Sequence, residues 1–181
     1  MAITTIPSSG TTDGTNLVAL GTTTVSSSVS QIDIDFDSSY KRILIAFEGM
    51  EFTNDCNLYA RAKISGSINT GTNYTSGHVK KYYNGFDTNT YGGPNQSYWY
   101  VTNNIGGVSG EAWNGQFTID VGTTEGNPLI HIANYYNSNA GNFDANFGCL
   151  AYEEDNIVEG IRVYPSTGSI ESVKYTQWGI K

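Results

Sequence analysis

The feature that most constrains the fold is a succession of short segments of strand-forming residues, separated by turns rich in Gly, Asn and Ser. No stretch shows a sustained apolar period of 3.6 residues, so almost no helix is expected. Short strands at such regular spacing are typical of sandwiches and barrels, and a large number of them favours a jelly roll. The sequence therefore predicts an all-β, jelly-roll-like antiparallel β-sandwich over residues 17–181. The predicted strands are 17–24, 29–36, 42–49, 57–64, 79–83, 97–102, 116–121, 129–135, 148–152, 160–164 and 173–180.

Residues 1–16 precede this region and are rich in Thr, Ser and Gly. Such a segment buries too little apolar surface to offset a backbone entropy cost of about 1–2 kcal/mol per ordered residue. We therefore expect an extended N-terminal arm that attaches to a neighbouring protein. Its apolar anchors are Ile3, Ile6 and Pro7.

Composition limits the classes of partner. The net charge of −8 excludes a nucleic-acid partner, because neutralising phosphates requires clusters of Lys and Arg. No apolar run approaches the length of about 18 residues that spans a membrane, and no secretory signal begins the chain. Only 14% of the residues are charged, while 13 are Tyr and 21 are Gly, a profile typical of loop-rich extracellular or virion proteins.

Three aspartates were considered as a metal site. Asp33, Asp35 and Asp37 alternate along one predicted strand, so their carboxylates share one face. A calcium loop requires Gly at its sixth position and Glu at its twelfth, where this chain has Ser38 and Leu44. A solvated strand face that discourages pairing with foreign strands is the favoured interpretation, and a metal site the alternative.

No residue pattern indicates catalysis. The acidic run 153–155 reads as a solvated loop, with a cation site as the weaker alternative, and His131 reads as a hydrogen-bonded strand residue. The chain contains no nucleophile elbow, no HExxH or CxxC motif and no phosphate-binding loop. We therefore predict a non-enzymatic protein without catalytic residues, metal or cofactor.

The strongest candidates for a contact surface are aromatic. Tyr and Trp offer a large rigid area with a polar tip, which suits both protein interfaces and stacking on sugars. In the segment 98–100, alternation places Trp99 on the core side and its two tyrosine neighbours on the other face. A subunit interface is the favoured role for the aromatic segment, with carbohydrate contact and an ordinary core or surface position as alternatives. The candidates are Tyr82, Tyr83, Phe86, Tyr91, Tyr98, Tyr100 and Trp113.

Both ends of the chain resemble a known group of proteins. The last segment, 160–181, reads as a strand, a Pro-Ser-Thr-Gly-Ser turn and a closing strand that ends in Trp-Gly-Ile-Lys. Near the front, the run Thr-Thr-Thr-Val-Ser-Ser at 22–27 precedes Asp-Ser-Ser-Tyr-Lys at 37–41 and a long apolar strand. These features are similar to small jelly-roll virion proteins of tailed bacteriophages, over roughly residues 17–65 and 157–181.

The resemblance implies a structural protein on the virion surface, synthesised in the host cytoplasm and assembled as a homotrimer. Such domains occur both as capsid decoration proteins and in tail fibres. Capsid decoration, with the major capsid protein as partner, is favoured because the chain has neither coiled-coil heptads nor a repetitive shaft. The alternative is a tail-fibre or receptor-binding protein that contacts a host surface glycan.

Overall fold

A computed structural model of the protein describes residues 3–4, 17–37, 39–82, 85–121, 127–138 and 142–181. For residues 3–4, 82 and 85–91 it describes the backbone alone. Within these ranges every regular element is a strand. None of the described residues belongs to an apolar helix long enough to cross a membrane.

The described strands differ widely in length, from two to eleven residues. In chain order they are β1 (Ile3–Thr4), β2 (Leu17–Val25), β3 (Ile32–Asp35), β4 (Arg42–Phe52), β5 (Cys56–Ile64), β6 (Ser67–Ile68), β7 (Tyr74–Tyr82), β8 (Gly85–Tyr91), β9 (Trp99–Ile105), β10 (Trp113–Asp120), β11 (Leu129–Asn137), β12 (Phe143–Tyr152), β13 (Gly160–Pro165) and β14 (Ile170–Ile180).

The strands form two antiparallel sheets of unequal size. The larger sheet has the order β1-β2-β14-β4-β10-β11-β12-β7-β8. The smaller sheet has the order β3-β13-β5-β6, and β9 also pairs with β5. The core lies between the inner faces of the two sheets, which confirms the predicted all-β antiparallel sandwich.

Alternation along the strands supplies this core. In β4, Ile43, Ile45 and Phe47 are buried while the residues between them are more exposed. Trp99 on β9 ties the sheets together, because its Nε1 donates a hydrogen bond of 2.8 Å to the Ala151 carbonyl on β12. The expected burial of Trp99 is thus confirmed. Each Å² of apolar surface that the large side chains bury here stabilises the fold by about 25 cal/mol.

The predicted turn at 165–169 is present, but it joins strands of different sheets. The chain leaves β13 in the smaller sheet at Pro165 and enters β14 in the larger sheet at Ile170. Gly168 has φ of +73°, and a Cβ atom there would approach the side chains of Thr53 and Asn54 to 2.6 Å. Glycine is therefore required at this crossing point.

Several boundaries differ from the sequence prediction. The strands predicted at 79–83 and 148–152 begin five residues earlier, as β7 and β12. The polar segment 84–96 lies between the predicted strands 79–83 and 97–102, but most of it is β8, an edge strand that pairs with β7. Strand assignment failed here because edge strands are polar on both faces and carry little apolar periodicity.

The predicted N-terminal arm is described only at β1. Ile3 pairs with Thr23 and Thr4 with Thr22, so these two arm residues extend the chain's own sheet at its β2 edge. Ile6 and Pro7 lie outside the described residues.

Candidate functional site

Four tyrosines gather on the outer face of the smaller sheet, and we call them the tyrosine cluster. The ring of Tyr59, on β5, stacks on that of Tyr98 with centroids 4.1 Å apart. The same ring packs against Tyr100 at 5.4 Å and Tyr164 at 5.8 Å. Direct pairing of β5 with β13 and β9 places Tyr164 and Tyr100 opposite Tyr59. The cluster is therefore a product of strand register.

Arg61 closes the tyrosine cluster on one side. Its guanidinium lies 5.3 Å from the centre of the Tyr164 ring, within the range of a cation–π contact. The Nε atom of Arg61 donates a hydrogen bond of 2.9 Å to the carbonyl of Ser97. Burial raises the pKa of Tyr98 and Tyr164 above the ordinary value for a phenol, so both stay neutral at physiological pH.

The other aromatic candidates are placed elsewhere. Trp113 is fully buried and packs against Phe47 with ring centroids 5.6 Å apart, so it presents no surface in this chain. Its indole ring lies across Gly115, where a Cβ atom would approach it to 2.4 Å. Tyr82, Phe86 and Tyr91 fall on β7 and β8, where the structure describes the backbone alone, and Tyr83 lies outside the described residues.

A second aromatic surface, which the sequence analysis missed, lies on the outer face of the larger sheet. Tyr135, Phe143 and Phe147 are 51%, 54% and 59% exposed, and they border an open groove of about 440 Å³. Small side chains on neighbouring strands form its floor, and we call the whole surface the aromatic groove. The floor residues are Ala46, Ala133 and Ala145.

Register explains why the groove is open. One row of paired residues crosses four neighbouring strands. It consists of Ala46 on β4, Gln116 on β10, Ala133 on β11 and Phe147 on β12. Ala46 and Ala133 contribute only methyl groups to this row, so a trough remains beside the larger side chains of Gln116 and Phe147 on strands spaced about 4.8 Å apart. The neighbouring row pairs Tyr135 with alanine across β11 and β12.

One rim of the groove is polar and follows a β-bulge. Glu48 and Gly49 of β4 together face Asn114 of β10, and Gly49 has φ of +60°. The Oδ1 atom of Asn114 accepts a hydrogen bond of 2.8 Å from the Gly49 amide. Glu48 also forms an ion pair of 2.9 Å with Lys174. Bulges of this kind bend a strand and redirect side chains beside binding surfaces.

The groove results from an inverted pattern over residues 143–147 of β12 and at Asn134 and Tyr135 of β11. Over residues 143–147, with the sequence Phe-Asp-Ala-Asn-Phe, the two phenylalanines face outward. Asp144 and Asn146 face inward and are buried, at 1% and 0% exposure. Burying polar groups while exposing aromatic rings opposes the usual partition, and such local exceptions concentrate at functional sites.

The acidic residues considered earlier are engaged in ion pairs and hydrogen bonds. Asp33 forms a two-pronged pair with Arg162, with both N–O distances at 2.7 Å, and Asp35 contacts Lys63 at 2.7 Å. Asp37 accepts a hydrogen bond of 2.9 Å from the backbone amide of Ser39. The described residues contain no group of three or more His, Cys, Asp or Glu side chains placed to hold a metal ion.

Comparisons of this chain with protein-family models, curated protein sequences and solved structures find no match. Of the two surfaces, the aromatic groove is the one with unsatisfied apolar area.

Proposed function

We propose that this chain is a non-enzymatic structural protein on the surface of a tailed-phage virion, a capsid decoration protein that stabilises the head. The phage assignment is supported by the resemblance of both chain ends to virion proteins. A role in assembly is supported by the aromatic groove, since contiguous exposed apolar surface on a folded domain marks interaction sites. The partners in this proposal are further copies of the chain, as a homotrimer, and the major capsid protein.

The groove is the observation that carries the proposal. Three aromatic side chains project from a rigid sheet, and rigid aromatic side chains supply most of the energy at protein interfaces. The alanine floor admits a side chain from a partner into the trough, which gives shape complementarity. Among the described residues that line the groove, Glu48 alone is charged, so binding of a partner there removes little charge from water.

The N-terminal arm is the second attachment element in this proposal. Its described part, β1, adds to the β2 edge by backbone pairing, a mode that binds strands with little dependence on sequence. We propose that the arm carries the contact with the capsid, through Ile3, Ile6 and Pro7.

Copy number tests the proposal. If the chain decorates the capsid, densitometry of purified particles gives hundreds of copies per virion, because a decoration protein follows the repeat of the capsid lattice. A count of a few dozen or fewer would place the protein in the tail and would contradict the decoration role. Deletion of residues 2–14 then tests the arm: self-association is expected to persist while binding to particles is lost. Unchanged binding to particles would refute the role of the arm.

A second function has its own supporting observation. The rings of Tyr135 and Phe143 are inclined by 31° with centroids 5.9 Å apart, and together they form one nearly flat wall. Asn114, Gln116 and Glu48 line the same groove and offer amide and carboxylate groups. A wall of this kind stacks on the apolar face of a sugar while the amides bind hydroxyl groups, so the alternative is a receptor-binding tail protein that contacts a host glycan.

Glycan binding separates the two functions. The alternative predicts that immobilised surface polysaccharide of the host binds the wild-type chain and fails to bind a Tyr135→Ala variant. If the protein decorates the capsid, neither form binds the polysaccharide.

A further inference from the structure

A buried lysine, asparagine and aspartate meet inside the sandwich, on the inner side of the strands that form the aromatic groove. The side chains of Lys80 and Asp144 are 0% and 1% exposed, and their Nζ and Oδ2 atoms are 2.9 Å apart. Lys80 Nζ also donates a hydrogen bond of 3.1 Å to the side-chain oxygen of Asn103, a residue that is 7% exposed. The primary amine is therefore held against a carboxamide with a carboxylate beside it.

The three residues come from three strands in two sheets. Lys80 is on β7 and Asp144 on β12, which are neighbours in the larger sheet, whereas Asn103 is on β9 in the smaller sheet. Tyr136 completes the arrangement, with its hydroxyl 3.5 Å from the Asn103 oxygen and its ring centre 5.2 Å from the lysine nitrogen. Rigid strands and close packing hold the reacting groups in contact, the condition under which intramolecular reactions gain most in rate.

We propose that Lys80 and Asn103 become joined by an intramolecular isopeptide bond, formed by the protein itself with Asp144 as the proton carrier. Asp144 takes a proton from the Lys80 ammonium, and the neutral amine attacks Cγ of Asn103, forming the new C–N bond. The proton then passes from Asp144 to Nδ2, the Cγ–Nδ2 bond breaks, and ammonia leaves. Asp144 finally takes the surplus proton from the new amide nitrogen and gives it to the ammonia. The net reaction converts an ammonium and a carboxamide into a secondary amide and an ammonium ion, with no oxidant or other reactant.

The surroundings act on the first proton transfer in two opposite ways. Burial lowers the pKa of Lys80, but its hydrogen bonds to Tyr136 and Asp144 outweigh that effect, so the pKa is raised and the ammonium gives up its proton only to the carboxylate in direct contact with it. In a site that excludes water, the proton transfer turns an ion pair into two neutral groups and removes a large desolvation penalty. The Tyr136 hydroxyl is positioned to stabilise the negative charge that develops on the Asn103 oxygen.

The local geometry assigns the roles. Asp144 is the only carboxylate among the described residues of this cluster, so if it were the acyl donor no second carboxylate would remain to carry the proton. Asn146 is a second buried amide and faces Lys80 directly in the pairing of β7 with β12. Its Nδ2 atom instead donates a hydrogen bond to the Thr102 hydroxyl, while the Asn103 oxygen contacts the lysine.

The bond would connect the two sheets at a polar part of the core. Lys80, Asn103 and Asp144 are buried there, whereas Trp99 joins β9 to β7 and β12 through aromatic packing elsewhere along the same strand. The pairing of β9 with β5 is irregular, with two register shifts. A covalent link between β7 and β9 would restrain this end of the sandwich, and it would account for the burial of charged and amide groups behind the groove.

Intact-mass spectrometry of the purified full-length chain, denatured before measurement, tests the proposal directly. The expected mass is lower than that of the sequence by one ammonia, about 17 Da. Digestion is expected to yield a branched peptide that joins the segments containing Lys80 and Asn103. A folded wild-type chain with the unmodified mass would overturn the proposal.

Substitutions locate the chemistry. Asp144→Asn and Lys80→Arg are expected to retain the full mass, and their thermal unfolding midpoints are expected to fall below that of the wild type. Asn146→Ala is the matched control, since it removes the neighbouring buried amide and is expected to keep the loss of ammonia. A branched peptide that joins Lys80 to residue 146, or a loss of water that joins Lys80 to Asp144, would refute the assigned roles. Because the wild-type measurement stands alone, a variant that fails to fold does not weaken the test.

Discussion

The tyrosine cluster and the aromatic groove contain the same kinds of side chain but are organised in opposite ways. In the cluster, Tyr59 contacts three other tyrosine rings and Arg61 lies over the face of one of them, Tyr164, so the rings pack on one another within the chain. In the groove, Tyr135 packs only on Phe143, and these two rings and Phe147 border a floor of alanines with more than half of their surface exposed. The difference teaches that aromatic density does not locate a binding surface, because rings that pack on each other have little area left for a partner.

The largest effect that separates the two surfaces is expected for Phe147→Asp, measured as self-association by analytical ultracentrifugation. Placing a carboxylate in the groove should weaken association by at least about a hundredfold, or roughly 3 kcal/mol, as for a central interface residue. The free energy of unfolding should change by less than about 0.5 kcal/mol, because the side chain is exposed in the isolated chain.

The control for this variant is Val108→Asp. Val108 is 68% exposed and does not line the groove, so the same change of charge should leave association intact. Equal loss of association in both variants would show that charge, and not the groove, governs self-association.

The cluster should respond in the opposite sense. Tyr59→Ala is expected to lower the free energy of unfolding by about 2–3 kcal/mol, since it removes three ring contacts and part of a packed surface. Self-association should remain at the wild-type level. Tyr59→Phe keeps the rings in contact and should lose less than about 1 kcal/mol in urea titrations. A large loss of self-association in Tyr59→Ala would show that the tyrosine cluster is part of the interface, contrary to this prediction.

A smaller effect is expected for Arg61→Gln, which removes the cation from the Tyr164 face but leaves the tyrosine rings in place. The expected loss is about 0.5–1.5 kcal/mol in the free energy of unfolding, from the cation–π contact and the hydrogen bond to Ser97. If chemical denaturation shows no loss in the free energy of unfolding, Arg61 contacts the cluster without stabilising it.

The smallest effect concerns the ion pair beside the cluster. The hydrogen bond from Arg162 lowers the pKa of Asp33, so this pair contributes stability above the ordinary aspartate pKa and loses it as the pH falls through the lower folded-state value. Both side chains are partly exposed, and solvent screening reduces the contribution at pH 7 to about 0.5–1 kcal/mol. Asp33→Asn should therefore be less stable than the wild type at pH 7, and the difference should disappear as the pH falls below the folded-state pKa of Asp33. A difference that does not decrease on acidification would mean that the pair acts by packing and not by charge.

The sequence predicts the architecture well because alternation in β3, β4 and β5 follows the usual rule of apolar inside and polar outside. It predicts the burial of Trp99 for the same reason. It fails over 143–147, which precede the predicted strand 148–152, and at Asn134 and Tyr135 of β11, where the polar residue is the buried one. A pattern of period two does not say which face is inside. The sequence therefore does not identify Phe143 and Phe147 as surface residues or Asp144 as a buried one.

The sequence does not predict contacts between residues on distant strands. Tyr164 lies more than sixty positions from Tyr98, and only the pairing of β5 with both β9 and β13 brings them to one surface. Trp113 was a surface candidate because it belongs to the aromatic segment, and the contact of its indole with Gly115 appears only in the structure. Such placements depend on register, which local sequence does not determine.

The order of strands in the larger sheet has a consequence for how two neighbours can be engaged at once. The last described strand at one edge, β1, is separated from β11 by five strand-to-strand steps, or about 24 Å. A strand that adds to this edge and a side chain that enters the trough would therefore not compete for space. Once either neighbour is bound, the other meets its site at a high effective concentration. Two individually weak contacts would therefore give durable attachment, although each contact could still dissociate by itself.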